Sequence, residues 1–131
     1  MAGECYCVAL RKAARKVTSL YDAALEPTGV NLAQFSLLRT IERAAPVSLT
    51  ELGRMTELDR STVGRNVRLL QRMGLVRVAP GADQREATVA LDEPGLEILR
   101  RAAPLWDEAQ RKIEASLGPA AAQMRRLLQS L

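Results

Sequence analysis

The segment "SLTELGRMTELDRSTVGRNVRLLQRMGLVRVA", residues 48–79, constrains this chain more tightly than any other. It holds two short amphipathic stretches about four residues apart, the spacing of a helix-turn-helix. The first carries Leu49, Leu52 and Met55 and opens with "SLTE". This pattern predicts a capping box, in which the Ser48 hydroxyl accepts from the Glu51 amide and Glu51 reaches back. The second begins after Asp59, a good N-cap, and ends at Gly74. Its Val63, Val67 and Leu70 recur at i, i+4 and i+7, a buried stripe on one side of a helix. "LVRVA" and "ATVAL" follow, two Val-rich runs split by "PGADQRE", which read as a β-hairpin with a long polar tip.

Around this centre the chain reads as helices punctuated by Pro and Gly. A first helix closes at Pro27 and Gly29, with Tyr6, Leu10, Ala13, Val17, Leu20 and Ala24 at helical spacing. A second runs from about Asn31 to Arg43, with Leu32, Phe35, Leu38 and Ile41 facing inward and Leu37 beside them. Asp92, Pro94 and Gly95 open a long helix with Leu96, Leu99, Ala103, Trp106, Ala109, Ile113 and Leu117 near one face; Pro104 inside it should bend it. Gly118-Pro119 starts a last helix bearing Met124, Leu127, Leu128 and Leu131. The fold class is therefore mainly α with a small β-hairpin wing. With 131 residues and only 3% aromatic content, one domain with an aliphatic core is expected.

Charge narrows the function. The formal net charge is +4, and residues 53–85 alone hold seven arginines against three acids and no lysine, a local excess equal to that of the whole chain. Arginine suits bidentate contact with phosphate and with guanine edges, so nucleic acid is the favoured partner. At the start of the helix after Asp59, Ser61, Thr62 and Arg65 lie where a recognition helix enters the major groove, and Arg68 and Arg72 further along are placed for phosphate. In the hairpin tip, Arg85 is placed to enter the minor groove, with Asp83 orienting it through an ion pair. The competing readings are a solvated charged face and ordinary turn chemistry.

The chain contains no His, which removes His-based metal sites, His general bases and Ser-His-Asp triads together. No catalytic residue, metal site or cofactor is expected. Cys5 and Cys7 alone make neither a zinc site nor a disulfide framework. No signal segment and no apolar run of membrane-spanning length is visible, so a cytoplasmic location is the expectation.

"LTELGRMTELDRSTVGRNVRLLQRMGLVRVAPGADQREATVALDEPG" resembles the MarR family of bacterial transcription regulators, and the likeness extends over nearly the whole chain. The order helix-turn-helix, D-x-R wing, then L-x-x-x-G before a long helix is fairly specific. The resemblance implies a winged-helix homodimer on double-stranded DNA at a pseudo-palindromic operator, with the first and the last two helices intertwined between subunits. On that reading, residues 1–30 form an N-terminal dimerisation helix, 31–91 the DNA-binding lobe and 92–131 the C-terminal dimerisation helices of one structural domain. Gly64 departs from the family, where a polar or bulkier residue is usual, and weakens the helix.

"CYCVALRK" is similar to the organic-hydroperoxide-sensing branch of that family, in which "C-F-A-L-Y" opens the first helix and tyrosines of the partner subunit hold the thiolate. Cys7 and Tyr21 match, but Arg11 stands where one Tyr would be and Leu32 where another would be. Arg11, one turn from Cys7, is placed to favour its thiolate. The alternative is that both cysteines are small hydrophobes packed between subunits. A small aromatic acid bound between the dimer base and the DNA-binding lobes is the other candidate effector.

The sequence thus predicts a DNA-binding repressor released by a small molecule or by oxidation. Its rivals are a winged-helix protein-interaction module that never touches DNA, and a thiol enzyme using Cys7, which lacks an obvious base.

Overall fold

The computed structural model describes residues 3–81 and 86–131. Helix α1 spans Tyr6–Leu25 and a short 3-10 turn covers Glu26–Thr28; Gly29, at φ 83°, takes the left-handed turn that follows. Helices α2 (Leu32–Ala44), α3 (Leu49–Thr56) and α4 (Arg60–Arg72) come next, then α5 (Glu93–Leu117), a 3-10 turn at Gly118–Ala120 and α6 (Ala121–Gln129).

Among the described residues three strands, not two, make the sheet. β2 (Val76–Ala79) and β3 (Thr88–Leu91) form the expected hairpin, with Val76 opposite Leu91 and Val78 opposite Val89. β1, only Val47–Ser48, pairs antiparallel with β3 on its other edge, giving the order β1-β3-β2. Two residues leave no alternation in the sequence to detect, and tertiary pairing creates this strand.

The caps also differ in part from expectation. Ser48 Oγ accepts from the Glu51 amide at 3.0 Å, but Glu51 turns away to bind Arg54 instead of closing the box. The complete capping box is at α2. There the Gln34 amide donates to Asn31 Oδ1 and the Asn31 amide to Gln34 Oε1, both at 2.9 Å. The carboxylate of Asp22, from α1, takes the Leu32 amide at 2.8 Å and so pins α1 to the start of α2.

The core is aliphatic and lies where α2, α3, α4, the sheet and the first half of α5 meet. Phe35, Leu38, Ile41, Leu52, Val63, Leu70 and Val89 are fully buried in it. The stripe Val63, Val67 and Leu70 is buried as its spacing requires. Of α1 only Leu25 is buried, while Leu20 is 56% exposed and Tyr6 87% exposed. α6 buries nothing, and Leu127 is 60% exposed. Both helices are amphipathic; α1 packs on α5 through Tyr21 and Trp106, yet much of its apolar face, and that of α6, stays exposed among the described residues. On α5, Ala102 is buried in place of Ala103, and the helix runs on through Pro104.

Candidate nucleic-acid interface

The interface is built on α4. At about 100° per residue, Ser61, Arg65, Arg68 and Arg72 fall within ~60° of one another, opposite the buried stripe. Burial of Val63, Val67 and Leu70 against the core therefore forces this polar face outward. All three arginines are exposed, as is Ser61, and Thr62 is half-buried beside them.

The start of α4 is held by Asp59. Its Oδ1 accepts from the Thr62 amide at 2.8 Å and from the Ser61 hydroxyl at 2.7 Å, while its carbonyl accepts from the Val63 amide. The Thr62 amide, then the two hydroxyls, and Arg65 more weakly, lower the Asp59 carboxyl to about 2. The helix N-terminus thus already has its anion, and attraction for phosphate must come from side chains further along. Arg65 Nη2 donates to Thr62 Oγ1 at 3.3 Å, leaning back toward this end.

Ion pairing separates the arginines. Arg54 is bound to Glu51 within α3. Arg77, on β2, donates from Nη1 to the Leu91 carbonyl at 2.9 Å and to Asp92 Oδ1 at 3.0 Å, tying the hairpin to the start of α5. Asp92 therefore stands at the N-cap position of α5 without capping it. Arg60, Arg65, Arg68 and Arg72 make no ion pair among the described residues. Four free cations project from one helix, flanked by arginines that serve the fold. Asp83 and Arg85 lie outside the described residues.

The second group of sequence candidates is not brought together within one chain. Cys7, Arg11 and Tyr21 all lie on α1, and fourteen residues of helix put ~21 Å between Cys7 and Tyr21. The Tyr21 hydroxyl donates to Gln110 Oε1 on α5, and its ring stacks on Trp106 at 6.0 Å. Burial, then the charge of Glu114, raise its pKa. Both thiols are exposed. Cys5 rather than Cys7 occupies the N-cap position of α1, where the amides of Val8 and Cys7 lower its thiol pKa although the side chain forms no capping hydrogen bond.

A feature missed in the sequence lies between α2 and α5. A cleft of about 560 Å³ is lined by Phe35, Arg39, Glu42, Arg43, Arg100 and Trp106. The Arg39 guanidinium sits 4.9 Å from the Trp106 ring centre and 5.5 Å from that of Phe35. No local pattern foretells it, because Arg39 and Trp106 meet only when α5 packs on α2.

A helix-turn-helix with a free arginine face on its second helix, backed by a three-stranded sheet, defines a winged helix-turn-helix protein. Residues 28–86 match the MarR family. The M. tuberculosis transcriptional regulator MosR in complex with DNA is 36% identical, with a TM-score of 0.87 over 96% of this chain and 92% of that one. MosR without DNA is 34% identical, with a TM-score of 0.81 over the same shares. The S. aureus MepR–DNA complex, at 18% identity, shares the fold, with a TM-score of 0.83 over 98% of this chain and all (100%) of that one. No curated protein sequence matches significantly. The chain belongs to the MarR family: it is a DNA-binding transcriptional regulator. Among the described residues no helix is long and apolar enough to cross a membrane.

Proposed function

We propose that the protein acts in the cytoplasm as a homodimeric repressor, by binding and without catalysis, on a pseudo-palindromic operator. α4 enters the major groove with Ser61, Thr62 and Arg65 toward base edges and Arg72 toward phosphate, and Arg85, oriented by Asp83, reaches the minor groove from the hairpin tip. The observation that carries this reading is the free arginine face of α4, set beside Arg54 and Arg77, which are paired. The MosR–DNA complex supports it as a relative with the same architecture. Residues 1–30 and 92–131 supply the dimer contacts, which accounts for the uncovered apolar faces of α1 and α6.

Release follows from a change in the separation of the two recognition helices, since half-sites lie about one DNA turn apart. An aromatic acid has a fitting seat in the cleft at Arg39 and Trp106, which offers a cation and an aromatic face. A second signal is oxidation of an α1 thiol, favoured by the exposure of both cysteines and the lowered pKa of Cys5. In that step a thiolate attacks an organic hydroperoxide, the O–O bond breaks, and a sulfenic acid and an alkoxide form, the alkoxide taking a proton from water to leave as the alcohol.

The test is fluorescence anisotropy on DNA from upstream of the protein's own gene at several salt concentrations, with and without hydroperoxide, reductant and aromatic acids. Tight binding that weakens steeply with salt is expected. Arg65→Ala with Arg85→Ala should cost at least roughly tenfold in affinity. Binding no stronger than to random DNA, or a double variant that binds like the parent, overturns the reading.

A further inference from the structure

The glycines inside the helices are not alike. A Cβ on Gly95 would run into the carbonyl oxygen of Leu75, and one on Gly53 would lie 3.2 Å from the carbonyl oxygen of Leu58. Gly95 is demanded by close backbone approach, and Gly53 sits against backbone more tightly than an ordinary contact. Gly64, midway along α4, is different. The three atoms nearest a Cβ placed there all belong to the Arg68 guanidinium: Nη1 at 3.3 Å, with Cζ and Nη2 at 3.9 Å. No positive φ requires glycine at this position, and no backbone or core atom is among those three. Glycine weakens a helix interior, so its presence where neither φ nor a close backbone contact asks for it points to the nearest thing beside it.

That thing is a free cation on the outward face. A helical side chain lies over the turn preceding its own Cα. With no side chain at 64, the Arg68 head lies flat on α4 one turn, ~6 Å, nearer the helix N-terminus than its own Cα. It thereby comes level with the stretch that holds Thr62 and Arg65, rather than with the distal stretch beside Arg72.

We propose that Gly64 is a specificity-determining residue that lets Arg68 lie back along the recognition helix, turning Arg68 from a phosphate contact into a reader of a base edge in the major groove, with guanine as the base its fork matches. The assignment rests on α4 being the helix that enters the groove. A side chain at 64 would displace the head in proportion to its length. Alanine shifts it by a few tenths of an ångström, and glutamine occupies its resting place.

The experiment is site selection by the full chain from duplexes with about two randomised helical turns, followed by affinities for the selected site and its single-base variants at several salt concentrations. The chain is compared with Gly64→Ala, Gly64→Gln and Arg68→Ala, each checked by thermal melting. The parent should prefer guanine at one position of each half-site, and Arg68→Ala should lose roughly tenfold of that preference and little elsewhere. Gly64→Gln should lose the same preference with the salt dependence unchanged, Gly64→Ala should lose part of it, and Gly64→Ala should melt higher than the parent. If Arg68→Ala weakens all sequences alike and lowers the salt slope by about one, Arg68 holds phosphate and the assignment is overturned. It is equally overturned if Gly64→Gln keeps the parent's preference. If the parent itself selects no sequence, operator reading by α4 fails, and the role of Gly64 falls with it.

Discussion

Asp59 shows how one residue serves two ends of a site. Its carboxylate satisfies the first turn of α4 through the Thr62 amide and fixes the Ser61 hydroxyl. Because the folded state holds the carboxyl at about 2, below its ordinary 3.8, the ionised form is the one the fold favours. The contribution is complete above pH 4 and is lost as pH falls from about 4 toward 2. Asparagine caps as well as aspartate but does not titrate. Thermal melts of Asp59→Asn should therefore match the parent near neutrality and lose less stability than the parent across that acid range. Equal acid sensitivity in the two proteins would show that Asp59 carries none of it. The same substitution removes a negative charge beside the arginine face, so tighter, less selective DNA binding by the variant is expected in anisotropy titrations.

Between elements, the joint of hairpin and α5 is the most tightly specified. The Leu75 carbonyl accepts the Asp92 amide at 3.0 Å, and Gly95 lies against the same carbonyl in the first turn of α5. Arg77 adds its bonds to Leu91 and Asp92 across the hairpin. Gly95→Ala puts a methyl group into that carbonyl and should cost about 1–3 kcal/mol in denaturant unfolding, as overpacking in a closed site does. Arg77→Ala removes an exposed pair and should cost at most about 1 kcal/mol. A larger loss for Arg77→Ala than for Gly95→Ala would mean that the ion pair, not the backbone contact, sets the angle of the hairpin. The Gly in L-x-x-x-G, visible in the sequence as a family feature, thus has a physical reason: only glycine fits between α5 and the end of the turn after α4.

For the molecule as a whole, exposed apolar surface is concentrated at the two ends of the chain. Tyr6, Val8, Leu10 and Leu20 on α1 face solvent, as do Met124, Leu127, Leu128 and Leu131 at the C-terminal end. Exposed apolar residues repeated along two amphipathic helices mark an interaction surface. Leu127→Glu with Leu128→Glu should convert the protein to a monomer in sedimentation velocity and weaken operator binding, because two recognition helices would no longer be linked. Retention of the parent's sedimentation coefficient would place the dimer contacts elsewhere. In the single protomer these substitutions touch no core residue, so its circular dichroism should be unchanged.

Much of this architecture was legible before any coordinates, because the signals are local. The period of Val63, Val67 and Leu70, the cap at Asp59 and the stop at Gly74 act within a few residues of one another. They therefore appear in the sequence as spacing. The outward arginine face follows from the buried stripe by helix geometry alone. What tertiary structure decided is what depends on residues far apart in the chain. β1 exists only because β3 offers Val47 and Ser48 an edge. Asp92 leaves its cap for Arg77, on the other strand of the hairpin. Arg39 meets Trp106 only through the packing of α5 on α2. The same limit explains why Tyr6, Leu10 and Leu20 read as a stripe and yet lie uncovered. Periodicity reports that a face is apolar, but which surface covers it depends on what packs there, and that is settled by contacts between distant elements.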